Sequence, residues 1–210
     1  MILGFEESKN LLSKYKIPYG QGDIIKSKRD AFNFVKQVGY PVVLKVYSSH
    51  ILHKIDIGGV ILNIRDKKLL SLAWKKISKV AKSKKADILI QKQEQGVEII
   101  IGAKKDPVFG PIVMFGIGGI FAEILKDISF RLAPITKTEA REMIKEIKGY
   151  KILKGYRGQK SVNLPKLEEI LLSLSDLISK ENKIKEVDLN PIIVNSKKAI
   201  VVDAKIIIHH

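Results

Sequence analysis

The stretch PVVLKVYSSHILHKIDIGGVILNI, Pro41 to Ile64, decides the reading of this chain. It runs as apolar strand, polar loop, glycine pair and apolar strand. The β-branched run Val42 to Tyr47 has the length of a buried strand, yet it carries Lys45, a charge that needs an anionic partner if the strand is buried and only an exposed edge if it is not. The loop behind it holds His50 and His53, and the only other histidines are the terminal pair His209 and His210, which read as tag residues. Gly58 and Gly59 allow backbone angles and close approaches that a side chain would forbid, so the loop could lie against a phosphate, swing, or simply turn. Lysine, imidazole and glycines in conjunction point to phosphoryl chemistry. A zinc site is the weaker reading, because no third or fourth ligand of matching type stands nearby.

A second constellation closes the chain, EVDLNP followed by VVDAK. On a strand, Asp188 and Asn190 point to one face, and a returning strand can bring Asp203 opposite them. Carboxylate and amide oxygens with positions left for water suit Mg²⁺, which usually also binds substrate phosphates. Read separately, Asp188 and Asn190 also suit strand ends and turn caps.

Composition sets the bounds. The chain has 210 residues, 45% hydrophobic and 29% charged, with no cysteine, so disulfides and thiolate chemistry are excluded. No apolar run reaches the ~18 residues of a membrane helix and the N-terminus lacks an export signal, so we expect a cytoplasmic protein with no membrane partner. The formal charge of +16 is spread over lysines in nearly every helix. Arginine-rich arms, zinc-finger spacing and aromatic-interleaved basic strands are missing, and no nucleic-acid partner is expected.

Between the two constellations the chain alternates strands and helices. Helical spacing covers Phe5 to Tyr15 before Pro18, and Ser27 with Asp30 opens a second helix that Gly39 closes. Asp66 caps a third helix with Leu69, Leu70, Ala73, Ile77, Val80 and Ala81 on its apolar face, while Trp74 reads as packing. Ile88 to Lys92 and Val97 to Ala103 are strands joined by the polar bend QEQG, read as the connection between lobes. Pro111 to Phe115 leads into Gly116, Gly118 and Gly119, a tight turn or a phosphate contact, and Phe121 to Leu125 resumes an extended pattern around Glu123. Thr136 and Glu139 form a capping box for a helix ended by Gly149, and a last helix runs from about Pro165 to Ser179. Lys154, Tyr156 and Arg157 occupy a glycine-flanked loop between these two helices. Short strands Ile184 to Leu189, Pro191 to Val194 and Ala199 to Asp203 complete the chain.

The runs GYPVVLKVYSSHILHKIDIGGV, DPVFGPIVMFGIGGIFAEILKDISFRLAP, LKGYRG and EVDLNPIIV with VVDAK together resemble the β subunit of the archaeal-type ADP-forming acetyl-CoA synthetase, within the ATP-grasp superfamily and related to succinyl-CoA synthetase. The resemblance covers nearly the whole chain. It implies an α/β (α+β) ATP-grasp fold of two lobes, residues 1–92 with the His loop and 93–208 with the Mg²⁺ hairpin, holding ATP or ADP between them. It also implies acyl-CoA, ADP and phosphate giving acid, CoA and ATP, with a separate CoA-binding α subunit in an α2β2 heterotetramer, so that the chain is inactive alone. By the family motif His53 carries the phosphoryl group, Lys45 and Lys54 neutralise phosphates, and Gly58 and Gly59 shape the loop. Gln91, Glu94 and Glu98 hold adenine and ribose, while Asn190, Asp203 and the nearby Asp188 take Mg²⁺. One departure stands out: Ser49 and His50 replace the family's usual proline and acid beside the carrier. Two other readings are an ATP-grasp carboxylate–amine ligase, which needs no phosphohistidine, and a degenerate regulatory synthetase-like module, which would have lost the histidine or the metal residues.

Overall fold

The structure, a computed structural model, describes residues 1–48, 51, 54–119, 127–155 and 160–209. In chain order they form α1 (Phe5–Lys14), β1 (Gly22–Ile25), α2 (Lys28–Val38), β2 (Val42–Tyr47), β3 (Val60–Ile64), α3 (Lys67–Lys84), β4 (Asp87–Lys92), β5 (Val97–Asp106), β6 (Gly110–Ile117), β7 (Ile128–Leu132), α4 (Lys137–Glu146), α5 (Tyr150–Leu153), α6 (Leu164–Lys180), β8 (Ile184–Val194), β9 (Ala199–Val201) and β10 (Ala204–Ile208). They make two compact units, Gly20–Gln93 and a second that joins Met1–Tyr19 to Glu94–His210. No helix among the described residues is long and apolar enough to cross a membrane.

In the unit Gly20–Gln93 the strands lie in the order β1-β4-β2-β3, every pair antiparallel. Alternation along β2 and β4 sends Val42, Leu44, Val46, Ile88 and Ile90 to one face, where they meet Ala31, Phe34 and Val35 of α2 and Leu70, Ala73, Ile77 and Ala81 of α3. Each large aliphatic side chain fully buried in this layer contributes about 1.5–3 kcal/mol. The helices start where side chains satisfy their first amides: Ser27 accepts from Asp30 N while Asp30 accepts from Ser27 N, and Asp66 accepts from Leu69 N at 2.8 Å. Lys92 donates to the carbonyls of Val38 and Tyr40 at 2.7 and 3.0 Å, which satisfies the C-terminal end of α2. Trp74 packs half-buried against this core. Leu69, placed on the apolar face by spacing, is 40% exposed, because the buried stripe is centred on Leu70, Ala73 and Ile77 and leaves Leu69 at its margin.

The second unit is built on a six-stranded sheet, β10-β8-β5-β6-β7 with β9 also on β8. α6 crosses β5, β6 and β8, and α4 lies against α6 and β7. Leu167, Ile170, Leu171, Leu174, Leu177 and Ile178 of α6 fill the core against Ile101, Val113, Phe115, Val187 and Leu189.

The sequence placed residues 1–19 in the first lobe; they pack on the second unit instead. Leu3 N donates to Ile206 O and Val201 N to Pro18 O, both at 2.9 Å, while Leu12 and Ile17 are buried in the larger core. These contacts are long-range pairings, invisible to local spacing. Two further boundaries differ. Ile184–Val194 is one strand where two were read, the strand read as Ala199 to Asp203 stops at Val201 (β9), and a further strand, β10, begins at Ala204. The helix expected to run to Gly149 ends at Glu146. Gly149 serves the start of α5 instead, packed so close to Ile117 that a side chain there would clash.

Candidate nucleotide and metal site

Two constellations emerge, one in each unit. In the unit Gly20–Gln93, the sheet face turned away from the helices carries Val43, Lys45, Leu89 and Gln91, since Val43 pairs with Gln91 and Lys45 with Leu89 in direct register. All four are buried, Lys45 to 8% and Gln91 to 2% exposure. A lysine at that depth is expensive without a counter-charge or hydrogen-bonding partners. Gln91 is more unusual: among the described residues neither its side-chain nitrogen nor its oxygen has a hydrogen-bond partner. Its neighbour across β1 is Gly22, where a Cβ would lie 2.5 Å from the glutamine Cγ, so this glycine makes the space the glutamine occupies. The result is an apolar surface with an ammonium and an amide set into it, the composition of a small-molecule site. The sequence signalled Lys45, but the shared face of Val43, Leu89 and Gln91 became legible only with the β2–β4 register.

The loop between β2 and β3 turns tightly. Gly59 N donates to Lys54 O at 2.8 Å and Gly58 N to Ile55 O at 2.9 Å. Gly58 adopts φ +66° with open space around it, whereas Gly59 lies against β2, where a side chain would run into Val46 and the Lys54 carbonyl. Both glycines thus have a structural reason to be glycine, apart from any contact with phosphate. Lys54 places its ammonium 5.7 Å from the centre of the Tyr47 ring. His50 and His53 lie outside the described residues, as do Glu123, Tyr156 and Arg157.

In the other unit, β8 and β10 assemble the acidic constellation. Lys205 pairs with Asp188 and Ala204 with Leu189, and Asn190 N donates to Asp203 O at 3.1 Å, so Asp203 stands across from Asn190. Alternation puts Asp188, Asn190, Asp203 and Lys205 on one face. Burial, together with the negative charges of Glu186 and Asp203, pushes the Asp188 carboxyl above the usual carboxylate range, with Lys205 opposing. Among the described residues no group of three or more His, Cys, Asp and Glu could hold a metal unaided. Two carboxylates and an amide that press negative charge onto one spot are the donor set of a hard cation completed by water and phosphate, and they fit Mg²⁺. Lys205 was not singled out from the sequence, although its alternation with Asp203 was the signal that could have found it.

The connecting segment supplies the remaining candidates. Glu94 is held by Lys198, with Oε2 and Nζ 2.7 Å apart. Glu98, exposed on β5, accepts through its carbonyl from Gly118 N at 2.7 Å, and any side chain at Gly118 would press on it. The glycine turn after β6 therefore packs on Glu98, and Gly119 follows with φ +67°.

Comparison with known proteins gives one answer. A family model described as an ATP-grasp domain matches residues 1–208. The β subunit of acetate–CoA ligase (ADP-forming) I from Pyrococcus furiosus is 44% identical over 208 residues, covering 96% of this chain and 90% of that protein. Acetate–CoA ligase (ADP-forming) II from Archaeoglobus fulgidus is 40% identical over 99% of this chain, which spans 30% of that longer protein. The dinucleotide-forming acetyl-coenzyme A synthetase 1 of Ca. Korarchaeum cryptofilum, solved with coenzyme A and Ca-AMPCP, superposes with a TM-score of 0.92 at 41% identity over 99% of this chain and 93% of that one. The same enzyme was solved with Mg-AMPPCP and a phosphohistidine segment pointing towards the nucleotide binding site. The chain belongs to the ATP-grasp domain family, among the β subunits of ADP-forming acetate–CoA ligases.

Proposed function

We propose that this chain is the nucleotide-binding subunit of an ADP-forming acyl-CoA synthetase, acting in the cytoplasm with a separate CoA-binding α subunit in an α2β2 heterotetramer. The reaction is acetyl-CoA + ADP + phosphate giving acetate + CoA + ATP. The observation that carries this reading is the buried sheet face of Lys45 and Gln91, whose unsatisfied amide is suited to a polar, anionic ligand. The similarity to β subunits of ADP-forming acetate–CoA ligases supports putting that face to nucleotide binding.

In this reading His53 carries the phosphoryl group. The acyl phosphate made on the α subunit gives up its phosphoryl group to that subunit's own histidine, the P–O bond to the acyl group breaking as acetate leaves; an imidazole nitrogen of His53 then attacks the phosphorus and the α subunit's N–P bond breaks. A terminal oxygen of ADP then attacks the phosphorus, the N–P bond breaks, and ATP and neutral imidazole result. An imidazole is a competent nucleophile near neutral pH, and a carrier shields the reactive group from water between the two transfers. Lys45 and Lys54 balance charge on the nucleotide phosphates, and Gly58 and Gly59 give the loop its tight turn. Gln91 hydrogen-bonds the nucleotide with Glu94 and Glu98, Glu94 sharing its carboxylate with Lys198. Asp203 and Asn190 would hold Mg²⁺, with Asp188 beside them, and the ion would neutralise developing charge on the phosphates.

The test pairs the chain with the α subunit encoded in the same genome. His53→Ala should abolish ATP formation while nucleotide affinity stays within about twofold, because a transfer step is lost and little ground-state binding. His50→Ala should retain most activity. Normal turnover by His53→Ala, or phosphate label mapping to His50, would remove the carrier assignment and favour an ATP-grasp ligase that works without a phosphohistidine.

A further inference from the structure

β7 is built inside out. Ser129 is buried and Arg131 half-buried toward α4, where Arg131 clasps Glu146 through two hydrogen bonds of 2.9 and 2.7 Å. The alternate residues Phe130 and Leu132 are 50% and 58% exposed. A strand with one solvated face normally puts its apolar residues inward, and a one-residue slip would do so here. The bidentate Arg131–Glu146 pair holds the opposite register.

The exposed apolar residues continue beyond β7. In direct register Phe130 pairs with Met114 and Leu132 with Ile112, so these four share the sheet face opposite the helices. At the β5–β6 hairpin tip Val108 is 79% and Phe109 67% exposed. That tip is fixed: Asp106 Oδ1 accepts from the amides of Val108 and Phe109 at 3.0 and 3.2 Å. Large apolar side chains exposed along one sheet face and at the adjoining hairpin tip, aromatics among them, mark a protein contact.

We infer that this apolar face of β6, β7 and the β5–β6 hairpin is the docking surface for the CoA-binding α subunit; the inference rests on the function proposed above. Two observations choose that occupant. The row that begins at Phe130 continues through Met114, Gly102 and Asp188 to Lys205, so a protein seated on the apolar end lies on the face that carries the metal residues. A phosphoryl group that passes between subunits requires such continuity. The chain also carries a formal +16, which opposes self-association and so disfavours a second copy as the occupant.

The experiment measures association of purified α subunit with the wild-type chain and with Phe130→Glu, Leu132→Lys and Phe109→Asp, by analytical ultracentrifugation and titration calorimetry. Leu72→Glu, at an exposed leucine on α3, is the control. Each variant on the apolar face should weaken association at least tenfold, while its Tm and its affinity for ADP with Mg²⁺ match wild type and the control assembles normally. If wild type assembles and the three variants assemble equally well, the docking assignment is wrong and the proposed function stands. Variants that make a self-associating wild-type chain monomeric without weakening the α complex would assign the face to a second copy and overturn the inference. A wild-type chain that binds ADP but no α subunit would overturn the two-subunit reading, and this surface with it.

Discussion

Gln91→Met separates a ligand-directed amide from a structural one. At 2% exposure with no partner for either polar atom among the described residues, the glutamine costs the ligand-free protein the desolvation of an unpaired amide, about 1–3 kcal/mol. Methionine keeps the unbranched length and removes that cost. For a chain of this size 1 kcal/mol corresponds to roughly 2–4 °C, so the ligand-free variant should melt roughly 2–12 °C higher than wild type. The nucleotide loses its hydrogen bonds to the amide, and the same 1–3 kcal/mol predicts affinity for ADP lower by about 5–150-fold. Thermal melts with and without ADP and Mg²⁺ read both effects together, and calorimetry gives the dissociation constant. A lower melting temperature without ligand, or unchanged affinity, would refute the reasoning and make Gln91 a structural residue.

Asp203→Ala should weaken nucleotide binding in Mg²⁺ but leave binding in EDTA unchanged, which calorimetry in the two buffers checks; equal loss in both would detach Asp203 from the metal. Gly59→Ala should lower stability by about 1–3 kcal/mol through overpacking against Val46 and the Lys54 carbonyl, measured by urea unfolding. Gly58→Ala, strained only by its positive φ, should cost about 1–2 kcal/mol. Hydrogen bonds from Lys14 and Tyr15 hold the Glu181 carboxyl below its usual range, and burial first, then Glu181, push the Tyr15 hydroxyl up to about 12. The Glu181 contribution is therefore present above the unfolded value of about 4.3 and is lost as pH falls through the lower folded value. Because Lys14 is mostly exposed, the contribution is about 1 kcal/mol or less, and Glu181→Gln should flatten the acid limb of the stability profile by that amount.

What the sequence determined by itself was local. The capping residues Ser27, Asp66 and Thr136, the strand lengths and the helical stripes were all legible because they depend on neighbours within a few positions, and the structure starts each helix at the residue the cap predicts. The order of uncommon motifs was enough to name the family. Long-range pairing had to come from tertiary structure. Residues 1–19 return to the larger unit through backbone bonds from Leu3 to Ile206 and from Val201 to Pro18, pairings that no periodicity reveals. Asp188 meets Lys205, and Gln91 shares a face with Lys45, only through strand register, which is fixed by the packing of whole sheets. The inverted alternation of β7 was hidden for the same reason: Phe130 and Leu132 face outward only because their strand's register is held by the Arg131–Glu146 pair.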